Sequence, residues 1–217
     1  MEDEKTYRKL DYRSDCPSDA PSRVVAPSGR AGKADKVKVV LRSEQFIKIN
    51  GTKLNGREYA EVGNCIHNVY AAIEQLDEQQ VADLICQHEM GDVLPNAGEV
   101  VRAWTNLQDF LSKQYGDPVA TYHERPFRQL RTDGTIVVGS IDYVYRTTEG
   151  DVLIDFKTFP QVEAITDPTS PHYAGHYAGQ LDAYTEALKA AGEKVLRRYI
   201  YYPVSGLLVE VGESACH

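Results

Sequence analysis

The chain changes its hydrophobic periodicity at about residue 118. Before that point, apolar residues recur every three or four positions in three stripes, which predict three helices. The stripes are Val62-Ile66-Val69-Ile73-Leu76, Val81-Leu84-Ile85 and Val100-Trp104-Leu107-Leu111. We expect the second helix to end near Gly91 and the third to end at Gly116-Asp117-Pro118, because glycine and proline stop helices.

After residue 118 apolar positions alternate, which is typical of strands. One more helix is expected from about Tyr173 to Ala191, closed by Gly192. With the alternating Val37, Val39 and Leu41, the pattern predicts strands or extended segments at 37–41, 119–130, 135–146, 151–159, 195–202 and 207–211. This order of helices and strands predicts an α/β fold in which a mixed central sheet is flanked by α-helices.

Composition limits the class of protein. The 217 residues are 42% apolar and 26% charged, which suffices for one domain with a buried core. Residues 1–35 are rich in Ser, Pro, Asp, Gly and Lys, so we expect a flexible tail or linker there and a domain at 36–217. No apolar run of membrane-spanning length and no secretory signal are visible. A cytoplasmic chain without membrane contact is therefore expected.

The charge is distributed unevenly along the chain. The formal net charge of −8 argues against a free-standing nucleic-acid binder, because such proteins usually carry a basic excess. However, residues 20–57 hold nine basic and two acidic side chains, a net of +7. Residues 58–217 hold eleven basic and 24 acidic side chains, a net of −13. We therefore expect a basic segment ahead of an acidic body that binds DNA weakly by itself.

The strands at 135–146 and 151–159 are close enough in sequence to form a hairpin. If Thr147 pairs with Gly150, one apolar face carries three pairs: Ile141 with Phe156, Tyr143 with Ile154, and Tyr145 with Val152. The opposite face then carries Asp142 directly across from Asp155. A shift of two residues would place Asp142 across from Lys157 instead. In either register Asp142, Asp155 and Lys157 cluster on one face.

Two neighbouring aspartates repel each other and are costly in mid-strand unless positive charge lies between them. Lys157 supplies one such charge. A divalent cation bound by both carboxylates would supply a second, and oxygen ligands favour Mg²⁺ or Mn²⁺. From the hairpin alone, an Asp–Lys ion pair on a solvated sheet face explains the same residues equally well.

Five short motifs give the chain a family resemblance. Gly139-Ser140-Ile141-Asp142 followed by Ile154-Asp155-Phe156-Lys157 resembles the core motif of the PD-(D/E)xK nuclease superfamily. Three further motifs are similar to those of its RecB-type branch: Gly63-Asn64-Cys65-Ile66-His67, Glu124-Arg125-Pro126-Phe127 and Gln180-Leu181-Asp182-Ala183-Tyr184. The resemblance covers about residues 57–202 and implies a restriction-endonuclease-like fold.

The resemblance also implies a chemistry, the divalent-metal-assisted hydrolysis of DNA phosphodiesters. The residues that it assigns to the metal are His67, Asp142, Asp155 and the carbonyl of Phe156. Lys157 would position the attacking water and stabilise developing charge. Gln180 and Tyr184 would line the site, either contacting DNA or bracing the lysine. The roles of Glu124, His172 and His176 stay open, because nothing in the sequence separates a place beside the site from ordinary packing or exposure.

Relatives of the RecB/AddA type carry this domain at the C-terminus of a helicase, so the resemblance implies a DNA exonuclease that acts in recombination and repair with a helicase motor in cis or in trans. The alternative is a catalytically inactive DNA- or partner-binding module that retains the fold. Intact Asp142, Asp155 and Lys157 favour the enzyme. Some relatives hold an iron–sulfur cluster, but the cysteines here lack the necessary spacing, so none is expected. Cys65 and Cys86 are expected to be buried helix thiols.

Overall fold

The computed structural model describes residues 23–30, 32–34, 36–54 and 59–212. Seven strands in this part of the chain form one sheet. They are β1 (Val24–Val25), β2 (Val37–Arg42), β3 (Ala120–Leu130), β4 (Ile136–Arg146), β5 (Asp151–Phe156), β6 (Val195–Tyr202) and β7 (Leu207–Val211). The α-helices are α1 (Tyr59–Ala72), α2 (Glu78–Gln87), α3 (Ala97–Tyr115), α4 (Val162–Thr166) and α5 (Ala178–Ala190). Short 3-10 helices span Pro27–Gly29, Gly51–Lys53, Ile73–Gln75 and Ala174–Tyr177.

The predicted mixed sheet is confirmed. Its strand order is β1-β4-β5-β6-β7-β2, with β3 paired to β4. The β1–β4 and β5–β6 pairs are parallel, and the remaining pairs are antiparallel. Because β3 pairs with β4 along its whole length, β1 and β5 share the other edge of β4. None of the described helices has the length and hydrophobicity needed to cross a bilayer.

The helix ends follow local chemistry. Asp77 begins α2 with a reciprocal capping box, in which its carboxylate accepts the Gln80 N–H and the Gln80 side chain accepts the Asp77 N–H. Gly116 ends α3 with φ 76°, a left-handed value that glycine adopts without strain. The expected end of the third helix is therefore confirmed.

Helices cover both faces of the sheet. The larger core packs α1, α2 and α3 against one face, through side chains such as Val62, Trp104 and Leu107. The smaller core packs α5 against the other face, through side chains such as Leu181 and Leu188. Cys65 lies in the larger core as expected, but Cys86 is exposed, because α2 turns that side of the helix to solvent.

The predicted hairpin register is confirmed in its first half. Tyr143 pairs with Ile154, Tyr145 pairs with Val152, and the Thr147 N–H donates to the Gly150 carbonyl. The rings and aliphatic side chains of these pairs enter the larger core, as expected.

The second half of the predicted register is wrong. The β4–β5 ladder ends at Tyr143, so Ile141 and Asp142 have no backbone partners in β5. Ile141 also lies in the smaller core rather than on the face that holds Tyr143. The alternation of β4 breaks at Asp142, opposite Glu124 of β3, whose φ of 45° interrupts the neighbouring strand. Since both faces are buried, either one accommodates an isoleucine.

Part of the segment predicted as a tail is built onto the domain. Strand β1 extends the open edge of β4, and Pro27 packs on Gly139, where a Cβ would lie 2.7 Å from Pro27 Cγ. The Ala34 N–H donates to the Gly175 carbonyl. Residues 1–22 lie outside the described residues, and a tail there stays a prediction.

Candidate active site

The candidate site lies where β4 and β5 diverge. On the open edge of β4, β1 pairs at residues 136–137 and β5 pairs at residues 143–146. In the described part of the chain, no strand pairs with this edge in between. Asp142 lies at the end of the gap, and its Oδ2 accepts the Phe156 N–H at 2.7 Å, in place of a backbone carbonyl. The break in the ladder therefore points a buried carboxylate toward the end of β5.

Helix α1 brings His67 to this carboxylate. Gly63, one turn earlier, lets α1 approach the end of β5, because a Cβ there would lie 2.9 Å from Thr158 Oγ1. His67 Nδ1 lies 3.6 Å from Asp142 Oδ2 and 3.8 Å from Glu124 Oε1. One ligand atom from each of these three residues falls within 4.8 Å of the other two. We call His67, Glu124 and Asp142 the histidine cluster.

The other ring nitrogen of His67 fixes the tautomer. Its Nε2 lies 3.1 Å from the Phe156 carbonyl, which only accepts, so Nε2 carries the proton of this hydrogen bond. In a neutral ring, Nδ1 would then present a lone pair to two carboxylates, and this repulsion requires a cation between them. A proton supplies one: burial lowers the His67 pKa, but the nearby Glu124 carboxylate and the Asp142 charge outweigh burial and raise it.

A divalent metal ion is the other cation that fits. One imidazole nitrogen and two carboxylates form a nitrogen- and oxygen-rich donor set that suits Mg²⁺ or Mn²⁺. The predicted role of the Phe156 carbonyl as a ligand stays a prediction, because this oxygen accepts the His67 Nε2–H on the other side of the ring from Nδ1. Asp142 in particular lacks compensating charge. Burial and the charge of Asp155 raise its pKa to about 7, against the opposing effects of His67, Lys157 and the Phe156 N–H.

Asp155, Lys157, Gln180 and Tyr184 form the second half of the site, which we call the lysine cluster. The Asp155 side chain is buried, and both of its oxygens are bonded. Gln180 Nε2 and the Tyr184 hydroxyl donate to Oδ1 at 2.8 and 3.3 Å, and Lys157 Nζ donates to Oδ2 at 2.5 Å. Gln180 and Tyr184 lie one turn apart on α5, which brings both side chains to one carboxylate.

Lys157 is held in its charged form. Burial lowers its pKa, but the attraction of Asp155 and Asp142 outweighs burial and raises it. Its ammonium also lies 4.8 Å from the centre of the Tyr177 ring, a cation–π contact. A lysine with a raised pKa positions and stabilises negative groups and is a poor general base. The environment therefore suits the positioning role that the sequence predicted.

Phe156 joins the two clusters. It stands between Asp155 and Lys157 in sequence, gives its N–H to Asp142 and its carbonyl to His67. The predicted residues are thus brought together, but in two groups. The predicted shared contact of Asp142 and Asp155 with one metal ion stays a prediction, because the lysine cluster occupies the Asp155 oxygens.

Glu124 is the residue for which sequence reasoning found no role. Its φ of 45° is left-handed, which costs a non-glycine residue about 1–3 kcal/mol and often marks a functional position. The Ser140 hydroxyl donates to its Oε2 at 2.6 Å, and the nearby His67 ring together with this hydrogen bond lowers the Glu124 pKa despite partial burial. The one sequence signal was the Glu-Arg-Pro-Phe motif.

The histidines of the loop after β5 make contacts of their own. The exposed His172 ring stacks on Phe159, with ring centres 3.8 Å apart. His176 Nε2 donates to the Ser170 carbonyl at 3.0 Å, a bond within the loop. His176 therefore has a structural explanation, and the role of His172 stays open.

The fold and site define a class of protein, one in which a mixed sheet carries an Asp and an Asp-x-Lys where two strands diverge. A model of the PD-(D/E)XK nuclease superfamily matches residues 42–214. The chain belongs to this superfamily, whose members are nucleases that use divalent metals.

A solved structure titled "Crystal structure of SSO0001" is 17% identical, with a TM-score of 0.32, and the match covers 70% of this chain and 64% of that one. The chain thus matches somewhat less than two thirds of that structure's length. No curated protein matches the chain.

Proposed function

We propose that this protein is a divalent-metal-dependent DNA exonuclease of the RecB/AddA type, which serves as the nuclease part of a helicase–nuclease in recombination and repair. The observation that carries the proposal is the pairing of the two clusters. A buried aspartate with too little compensating charge faces His67, and a second buried aspartate holds a charged lysine beside it. Superfamily membership supports the nuclease chemistry.

The donor set suggests how the work is divided. A metal ion held by His67, Asp142 and Glu124, with Asp155 as a further donor, would neutralise a phosphate oxygen and activate water. Lys157 then orients the water and stabilises the charge that develops on the phosphate. Gln180 and Tyr184 fix the Asp155 carboxylate, which in turn fixes the lysine ammonium. His67 holds the end of β5 through the Phe156 carbonyl.

We propose the exonuclease mode and the helicase partner from the acidic charge of the domain and from its resemblance to the RecB-type branch. The body at residues 58–217 carries 24 acidic and eleven basic side chains, and phosphate contacts need positive charge. Such a domain should bind DNA weakly alone. A motor that delivers a strand would offset this weakness, in the same chain or in a separate subunit.

Cleavage assays test the enzyme directly. We expect wild-type protein to degrade linear single- or double-stranded DNA with Mg²⁺ or Mn²⁺ and to spare a covalently closed circle. Lys157→Ala and Asp155→Ala should abolish cleavage, whereas the control Lys113→Ala, at an exposed lysine on α3, should retain it. Wild-type protein that binds DNA without cutting it would favour the inactive binding module. Rapid cutting of the circle would overturn the exonuclease mode.

A melting series tests the metal site without relying on activity. An ion that binds only the folded state stabilises it by RT ln(1 + [L]/Kd), so Tm rises with the metal concentration. We expect Mn²⁺ to raise the Tm of wild-type protein and to leave the Tm of Asp142→Asn and His67→Ala nearly unchanged. Equal stabilisation of all three proteins would place the metal elsewhere.

A further inference from the structure

A separate cleft opens at the far end of β4, between β1, the turn that joins β3 to β4, and α5. Its volume is about 410 Å³. Val25, Val137 and Ala183 contribute apolar walls, and three arginines, Arg23, Arg30 and Arg131, also line it. It belongs to neither cluster of the candidate active site.

This cleft carries an excess of positive charge, whereas the candidate active site carries an excess of negative charge. Among the described residues that line it, there are three guanidinium groups and no carboxylate. Glu186 pairs with Arg30 at 2.7 Å and with Arg131 at 3.6 Å from outside the lining. Arg30 Nη1 is nevertheless buried without a hydrogen-bond partner, and Arg23 forms no ion pair with a described residue. The basic segment at residues 20–57 thus supplies two arginines, and the acidic body one, to a local basic site.

We propose that this cleft binds a phosphate group of a nucleic-acid strand. Glu186 offsets only one of the three positive charges, so the cleft keeps an excess of positive charge, and planar guanidinium forks match phosphate oxygens bidentately. The apolar walls suit the sugar or base attached to that phosphate, which a small inorganic anion would leave uncovered. The buried, unpartnered Nη1 of Arg30 is a donor that such a phosphate would satisfy.

The cleft is within reach of a strand in the active site. Val137 in the cleft and Asp142 in the histidine cluster are five residues apart on β4, which is roughly 16 Å at about 3.3 Å per residue. On α5, Ala183 lines the cleft three residues after Gln180 of the lysine cluster. That the ligand is the strand being cut rests on the proposed function. The anion site itself rests on the cleft alone.

Fluorescence anisotropy of a labelled single-stranded oligonucleotide in EDTA tests the proposal without cleavage. The variant is Arg23→Gln/Arg131→Gln. Its charge-matched control is Arg102→Gln/Lys113→Gln, at two exposed positions on α3. We expect the cleft variant to raise Kd about tenfold or more and to lower the salt slope by about 0.7, the contribution of one single-strand phosphate contact. The control should change Kd less than twofold. Arg23→Gln alone should raise Kd by a smaller factor. Because Arg23 is exposed, this variant is expected to fold normally, so its effect on Kd cannot be attributed to misfolding.

Equal Kd values for the cleft variant and the control would overturn the proposal. Titration with inorganic phosphate separates the two sources of the anion: if the cleft variant loses phosphate binding but keeps oligonucleotide binding, the assignment to a strand is wrong. Failure of the nuclease proposal looks different. In that case, wild-type protein would bind the oligonucleotide through the cleft and not cut it with Mn²⁺. If wild-type protein cuts DNA and the cleft variant leaves Kd unchanged, the cleft proposal is wrong and the nuclease proposal stands.

Discussion

The two ends of the β4–β5 hairpin hold buried aspartates in opposite electrostatic situations. At the turn end, Asp151 accepts two hydrogen bonds from Arg146, at 2.7 and 2.8 Å. Glu193 accepts two from Arg125, both at 2.8 Å, and also pairs with Arg146. Two arginines thus balance two carboxylates. At the open end, Asp142 and Asp155 share one lysine and a histidine whose charge depends on its proton.

The pKa shifts show the consequence of this difference. Hydrogen bonding by Arg125 outweighs burial and, with Arg146, lowers the Glu193 pKa to about 2. Burial and Asp155 raise the Asp142 pKa to about 7. At the turn end, the neutralised carboxylates of Asp151 and Glu193 hold the hairpin to β3 and to the segment after α5. At the open end, Asp142 and Asp155 lack enough positive charge around them, so a further cation would be stabilised there. Uncompensated negative charge thus distinguishes a site that binds a cation from an ion-pair network that stabilises the fold.

Asp142→Asn should have the largest effect, on activity. Asn keeps an acceptor for the Phe156 N–H but removes the charge that a metal ion requires. Since metal stabilisation of a transition state is worth several kcal/mol, we expect cleavage to fall about 10³-fold or more. Single-turnover rates with saturating Mn²⁺ measure this effect. A rate within tenfold of wild type would show that the open end does not need its charge.

Asp151→Asn should destabilise the ion-pair network at the turn end and leave the cleavage chemistry unchanged. Replacing the buried carboxylate by a neutral amide weakens two charge-assisted hydrogen bonds from Arg146, which keeps Glu193 as a partner, so the change costs roughly 1.5–3 kcal/mol. We expect the free energy of unfolding to fall by that order, measured by denaturant titration, with the cleavage rate per folded molecule unchanged. Glu61→Gln, at an exposed acid on α1, is the control. A large loss of rate at full stability would mean that the two ends are not separate.

Without metal, Asp142→Asn should stabilise the fold. Because the folded-state pKa of Asp142 is raised, its ionised form carries a penalty that grows as pH rises towards and through about 7. Removing this charge should increase the free energy of unfolding by roughly 0.5–2 kcal/mol at pH 8 in EDTA, and by less at pH 5. Denaturant titrations at both pH values test this expectation, and a lower stability of the variant at pH 8 would contradict it.

Glu193→Gln should give the smallest and most local effect, a change in acid sensitivity. A lowered folded-state pKa means that Glu193 stabilises the fold above its ordinary pKa of 4.5, and that this contribution is lost as pH falls towards about 2. The variant should therefore lose less stability than wild type between pH 5 and pH 3, measured as Tm. Parallel Tm curves would show that Glu193 does not titrate with folding.

Local pattern was enough to predict the elements and half of the hairpin register. Residue periodicity reports which positions of a helix or strand are buried, and the stripe from Val100 to Leu111 became α3. Alternation also fixed the pairing of Tyr143 with Ile154. It failed at Asp142, because periodicity assumes an unbroken strand with one polar face. Here the left-handed φ of Glu124 disturbs the neighbouring strand β3, and both faces of the sheet are covered.

The sequence by itself determined which chemical groups are present, the elements that carry them, and the motifs that link His67, Asp142, Asp155 and Lys157 to one family. Only the tertiary structure decided how these residues are divided between the histidine cluster and the lysine cluster. His67 meets the Phe156 carbonyl across 89 residues, and Gln180 meets Asp155 across 25. It also added Glu124 to the site and gathered three arginines around one cleft: Arg23 just before β1, Arg30 just after the first 3-10 helix, and Arg131 in the turn after β3. The reason is physical: periodicity depends on near neighbours, whereas charge balance depends on all groups that packing brings together.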